Sequence, residues 1–281
     1  MALGGAIVWA AGYSQLAAQQ VPPRREAAAA PAAARGPWPV RLKDGQPDVQ
    51  GYWQAAGGGV GQSIEPMRGF MGSNAMMPGS VVDPPDGRIP YLPWARARRD
   101  EVKDTHLKPN AAQVDTRTRA WPDGVPRINY YQTFQILQPA GGVVILYEAQ
   151  HESRYIPLDG RPQIDSGIKL WMGSSRGRWE GTTLVVDVAN VSDRVRMSLV
   201  GDFASDEIKI TEWWKFIDAN TVELRATFED PKVYAQPWTT SRMLKRITDP
   251  TYELMEYSGV EGERDQQRMV DIPKKAQEQK K

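Results

Sequence analysis

Between Thr221 and Glu229 the chain reads TVELRATFE: Val222, Leu224, Ala226 and Phe228 alternate with charged or hydroxyl-bearing neighbours. A period of two lays alternate side chains on opposite faces of an extended strand, one dry and one wet. The same texture recurs in RGRWEG-TTLVVDV, EWWKFIDAN-TVELRATFE and SRMLKRITDP-TYELMEY, which read as hairpins, with turns at Asp218-Ala219-Asn220 and Thr248-Asp249-Pro250. Upstream, QTFQIL and GVVILYEA flank Pro139–Gly141 and form a further hairpin candidate. Successive hairpins make an antiparallel meander, and roughly six to ten strands hide their edges best by closing. The predicted fold is therefore mainly β: a meander closing into a lipocalin-like β-barrel over residues 132–262. A barrel of about eight strands leaves room inside for one small ligand.

The first half of the chain lacks this rhythm. Residues 62–87 carry Met67, Met71, Met76 and Met77 among several Pro and Gly, after the glycine-rich patch Gly57–Gly61. Residues 38–131 read as an irregular arm wrapping the core, with one or two short helices. The clearest is PWARARRDEVKDT, where Pro93 suits a first helical turn and the arginines read as a solvated face. Further upstream, Ala2 to Ala11 is apolar and Leu16-Ala17-Ala18 supplies small residues, so residues 1–18 resemble a secretory leader that lacks a positive n-region. The apolar run is too short for a spanning helix. Residues 19–37, rich in Ala, Pro and Arg, read as a linker, and 263–281 as a charged tail. The expected location is periplasmic or secreted, with no membrane span once the leader is removed.

Composition narrows the partners. Thirty-five basic residues face 34 acidic ones, a net charge of +1, which offers no field to gather nucleic acid. Cysteine is absent, which excludes thiolate metal sites and a cysteine nucleophile. Ten tryptophans and ten tyrosines fit an aromatic-lined cleft as well as an ordinary barrel core.

Candidate chemistry gathers after the apolar run Val143–Leu146, in Tyr147, Glu148, His151, Glu152 and Arg154. His151 is one of two histidines in the chain, and imidazole is the side chain that exchanges a proton near neutrality. It is the candidate general acid/base; Glu148 would orient its ring, Tyr147 would donate a hydrogen bond and Arg154 would hold a carboxylate or oxyanion. On an uninterrupted strand Tyr147 and His151 share a face, while Glu148 needs a bulge to join them. The plainer alternative is a solvated hairpin end. Trp171, Trp213 and Arg176 are candidate substrate contacts, since arginine and tryptophan in alternation serve ligand clamps as well as surface ladders.

Other motifs fail on context. Gly173-Ser174-Ser175-Arg176-Gly177 matches G-x-S-x-G, but a tryptophan-bearing strand follows and both histidines lie upstream. His151-Glu152-Ser153-Arg154-Tyr155 has a tyrosine where H-E-x-x-H needs its second histidine, so a zincin site fails and a mixed His/carboxylate site is the metal alternative left open, with no metal expected. The Gly57–Gly61 patch has Gln62 where a dinucleotide fingerprint needs glycine, and no cofactor is expected.

The strings IPYLPWA, PDGVPRI, FQILQPAGGVVILYEAQHESRYIPLDGRP, WMGSSRGRWEGTTLVVDVAN, FEDPKVYAQPWT and YELMEYSGVEG together resemble a large group of uncharacterised secreted β-rich proteins of soil and marine bacteria, one with no established activity. The resemblance spans roughly residues 37–262 and implies export, a β-rich fold and importance for the segment around His151 and Arg176. Two departures stand out: members of that group often carry a cysteine near Ala120 or Trp121, and a Cys-His pair where this chain has Gly259-Val260.

Three functions follow as expectations. The first is a cofactor-independent lyase, dehydratase or isomerase acting on a small aromatic or terpenoid-like molecule, with His151 worth about 10²–10⁴-fold in rate. The second is a non-catalytic protein binding a small hydrophobic molecule, and the third an envelope structural or assembly protein. The oligomeric state is open.

Overall fold

Most of the period-two segments form strands. The computed structural model describes residues 38–56, 63–68, 76–106, 109–110, 113–119, 121–130 and 133–255. The leader, the linker, the Gly57–Gly61 patch, Met71, Ala120, Gly259-Val260 and the charged tail fall outside these residues. In chain order the strands are β1 (Gly51–Ala55), β2 (Met67–Arg68), β3 (Met76–Met77), β4 (Val81–Asp83), β5 (Phe134–Leu137), β6 (Gly142–Tyr147), β7 (Ser153–Pro157), β8 (Ser174–Glu180), β9 (Thr183–Ala189), β10 (Lys209–Asp218), β11 (Thr221–Glu229) and β12 (Trp238–Arg246). One α-helix, α1 (Pro93–Thr105), occurs among the described residues, starting at the proline the sequence marks. It is too short to cross a membrane.

The main sheet runs β7-β6-β5-β1-β12-β11-β10-β9-β8, with β4 added beside β12 and every ladder antiparallel. It curls until its edges meet, giving a nearly closed barrel. Side chains make the seam between β7 and β8: Arg154 Nε donates to Ser175 Oγ at 2.9 Å. A Cβ on Gly177 would lie 2.6 Å from Ile156 Cγ2 and 2.8 Å from Leu158 Cδ2, so the bare glycine is what lets β8 approach β7 so closely.

Three of the four predicted hairpins form, as β5–β6, β8–β9 and β10–β11. The fourth does not. Residues 251–255 are turn and irregular chain, and β12 pairs with β11 on one side and β1 on the other. Strand β1 lies in the segment read as an arm, yet it joins the two meanders. Its Trp53 is 1% exposed and packs edge-on against Phe216 with centroids 5.6 Å apart, whereas Met255 stays 69% exposed. Burying the indole removes a large apolar area from water and so draws β1 into the sheet.

Inward positions are filled. Trp53, Phe134, Trp214, Phe216, Phe228 and Trp238 are each at most 1% exposed. Each such ring contributes roughly 4–6 kcal/mol of gross burial before entropy. The space expected to hold a ligand is thus occupied by the barrel's own side chains.

The helix corrects a second expectation. Arg99 is 3% exposed rather than solvated, and its Nε donates to Asp202 Oδ1 at 2.9 Å while Nη2 lies 3.4 Å from Glu65 Oε2. Arg96 also pairs with Glu65, at 2.8 Å. These partners are distant in sequence, so nothing local marks Arg99 as internal.

Candidate functional site

The β6–β7 connection, where the candidate acid/base sits, is a tight turn. Glu152 N–H donates to Ala149 O at 3.2 Å, and the two central residues, Gln150 and His151, have φ of 58° and 54°. Positive φ at both central positions is the mark of a type I′ hairpin turn, which usually takes Asn-Gly because a Cβ disfavours it. The turn reverses the chain, so Tyr147 and His151 do not share a face. His151 is exposed at the tip and Tyr147 is 3% exposed inside the barrel.

Glu148 also parts from the group. It lies on the outer face, as alternation requires without a bulge, and accepts hydrogen bonds from the Tyr252 hydroxyl and, at 3.1 Å, from Met255 N–H. Its carboxylate anchors the chain that follows β12 and does not orient His151. Glu152 is the titratable group that stands out: burial, with the Asp123 charge behind it, lifts its pKa from 4.5 to about 7. Asp123 is 1% exposed and raised by burial as well, against the pull of Arg127 and Arg117.

Tyr147 and Arg154 meet inside the barrel, in a network centred on Glu212. Arg154 Nη1 donates to Glu212 Oε2 at 2.8 Å, the Trp214 indole N–H donates to the same oxygen at 3.1 Å, and Asn129 Nδ2 donates to Oε1 at 3.1 Å. The Tyr147 hydroxyl donates to Asn129 Oδ1 at 2.7 Å. The pairing is sealed, with Arg154 and Glu212 side chains 2% and 1% exposed. Burial is the largest influence on Arg154 and would lower its pKa, but the charge and hydrogen bond of Glu212 together with Tyr147 make the net shift upward. Burial pushes the Tyr147 hydroxyl well above its usual range. An ion pair buried this deeply holds the barrel's cross-section, with Arg154 Nη2 left without a hydrogen-bond partner among the described residues; it offers a substrate no access.

The three candidate substrate contacts scatter. Arg176 donates from Nε to the carbonyls of Arg161 and Pro162, at 2.9 and 2.8 Å, and from Nη1 to Ser175 O at 2.6 Å, so its guanidinium straps a loop to β8. Trp171 packs against Trp121 with centroids 5.6 Å apart. Trp213 is half-buried on the outer face of β10, opposite Val185 and Arg225, while its neighbour Trp214 points inward.

A cavity of about 210 Å³ lies outside the barrel, between α1 and the loop of residues 193–203. Its lining includes Arg98, Arg194 and Arg196 together with Val102, Trp121 and Phe203. Trp171, as the backing of Trp121, is the one predicted contact that touches this wall. No group of three or more His, Cys, Asp or Glu among the described residues is placed to hold a metal ion.

Two of these features were open to sequence reasoning. Ile210, Glu212, Trp214 and Phe216 occupy one face of β10, so a carboxylate interrupts an otherwise apolar series and must find a buried partner. Arg194-Val195-Arg196-Met197 alternates, with Val195 and Met197 buried, and so turns its two cations away from the core. Glu152 carries no such signal, because its neighbour Asp123 comes from a distant loop. Comparison of the chain with protein-family models and with curated proteins gives no match.

Proposed function

We propose that this chain is an exported small-molecule binding protein whose ligand site is the cavity between α1 and the 193–203 loop. The cavity itself carries this reading: about 210 Å³, walled in part by Val102, Val114, Val195, Trp121 and Phe203 and in part by Arg98, Thr116, Asp193, Arg194 and Arg196. Concave sites that set polar groups beside apolar walls are where proteins hold small molecules. A packed barrel serves such a site as a rigid base. The apolar run Ala2–Ala11 and the resemblance to secreted proteins support export. The test is metabolite mass spectrometry on the purified chain, beside a Val102→Trp variant that fills the cavity. A molecule retained by the parent and lost from the variant supports the reading. Equal retention by both, or no retained or screened molecule for either, overturns it.

A second reading, acid/base catalysis on a small aromatic or terpenoid-like molecule, is favoured by one observation. Gln150 and His151 hold left-handed backbone beside Glu152, a carboxyl with its pKa raised to about 7. Strained backbone and shifted acids gather at active sites. His151→Gln and Glu152→Gln proteins that turn over an identified ligand at the parent rate end that version.

A further inference from the structure

The rim of the cavity is more basic than the chain as a whole. Arg98, Arg194 and Arg196 face one acid, Asp193, among its lining residues, in a protein that balances 35 basic against 34 acidic side chains. Arg98 and Arg194 are exposed, yet Arg98 is not loose: its guanidinium carbon sits 4.4 Å from the centre of the Phe203 ring. The other neighbours of that ring fix it too, with Tyr91 stacked at 5.8 Å. Beneath, Asp202 accepts from Arg99 Nε at 2.9 Å and from the Ser198 hydroxyl at 2.6 Å, which pins the loop to the helix. Gly201 completes the approach. Its φ of +88° suits glycine, and a Cβ there would lie 2.5 Å from Val102 Cβ. The walls are therefore preorganised, which spares a ligand the cost of ordering them.

Size and chemistry then limit what fits. A dry cavity of about 150 Å³ accepts benzene, so one of about 210 Å³ takes a single ring with one compact substituent. Val102, Val195, Trp121 and Phe203 provide the apolar and aromatic surface for the ring. Arginine forks recognise planar carboxylates through paired, charge-assisted hydrogen bonds. Thr116 also lines the cavity; it is 7% exposed and its hydroxyl makes no hydrogen bond among the described residues.

We propose that the cavity selects small monocyclic carboxylates, the ring seated against Trp121, Val102 and Val195 and the carboxylate held at the arginine rim. This rests on the reading of that cavity as the ligand site. The test uses the full chain, with benzoate and its neutral isostere benzamide as probes, followed by tryptophan fluorescence and by amide NMR shifts. The expected result is saturable benzoate binding with shifts centred on Trp121 and residues 194–203. Benzamide should bind at least tenfold more weakly, about 1.4 kcal/mol. The Arg98→Gln/Arg194→Gln protein, checked for an unchanged melting curve, should lose at least tenfold more affinity for benzoate than for benzamide. Benzoate affinity should also fall with added salt, because the arginines face water. Equal affinity for the two probes at this site overturns the carboxylate assignment and leaves the site standing. Shifts confined to other surfaces, or no binding of either probe while Val102→Trp matches the parent in every ligand assay, overturns both.

Discussion

Replacing Glu212 by leucine strands a guanidinium that cannot shed its charge. Arg154 is 2% exposed, and without Glu212 its remaining side-chain partners are neutral, the Ser175 hydroxyl at 2.9 Å and the Tyr147 hydroxyl. Arginine does not deprotonate in proteins, so the charge stays buried and uncompensated. The reverse change, Arg154→Met, is milder. Glu212 keeps the Asn129 amide and the Trp214 indole as donors, both at 3.1 Å, and can take up a proton. Breaking a buried pair costs about 3–5 kcal/mol. Glu212→Leu should fall at the upper end, about 4–5 kcal/mol, and Arg154→Met near 3 kcal/mol. The double replacement removes both charges and should cost about 0–2 kcal/mol, a coupling of at least 2 kcal/mol. Urea titration followed by tryptophan fluorescence measures all three, and melting should drop by roughly 8–20 °C for Glu212→Leu. Single replacements that each cost under about 1 kcal/mol and simply add would refute the placement of this pair in a sealed interior.

Glu152 should impose a pH dependence of definite sign. A carboxyl raised from 4.5 to about 7 binds more protons folded than unfolded in that window, so stability is full below 4.5 and is lost as pH rises through 7. Comparing the parent with Glu152→Gln between pH 5 and 8 should show a loss of about 1–2 kcal/mol in the parent alone, given partial solvent screening; a parallel pair of curves counts against it. Exchanging Gln150-His151 for Asn-Gly should stabilise the turn by about 1–2 kcal/mol, measured by thermal melting, because it relieves two left-handed residues. Gly177→Val should cost at least about 1–3 kcal/mol by overpacking the β7–β8 seam, with faster amide exchange in both strands as the readout. Trp214→Ala should cost about 3–5 kcal/mol and Trp213→Ala under about 1.5 kcal/mol in the same denaturation assay; equal losses would contradict the inward and outward parity of β10.

Much of the barrel was written in local pattern. The alternation in β10 and β11, and the proline at the start of α1, each depend on residues a few positions apart. Elements whose signal was not local escaped. Strand β1 is five residues long and its place between β5 and β12 is decided by the burial of Trp53. The β6–β7 turn lacked the Asn-Gly that marks its type, so the chain from Tyr147 to His151 read as one strand and the proposed catalytic face dissolved when the turn appeared. Parity explains the tryptophans: choosing Trp213 over Trp214 reverses inside and outside, since neighbours on a strand face opposite ways.

By itself, then, the sequence determined a β-rich chain, its principal hairpins, the helix that starts at Pro93 and the polar character of the segment from Tyr147 to Arg154. The tertiary structure alone decided which polar groups meet. Glu212 joins Arg154 across 58 residues and Asp202 joins Arg99 across 103, while His151 is left in solvent. Alternation and capping act between near neighbours and survive in any fold. Ion pairing and cavity formation depend on how the sheet curls and where the loops close, and that follows from the summed burial of the whole core.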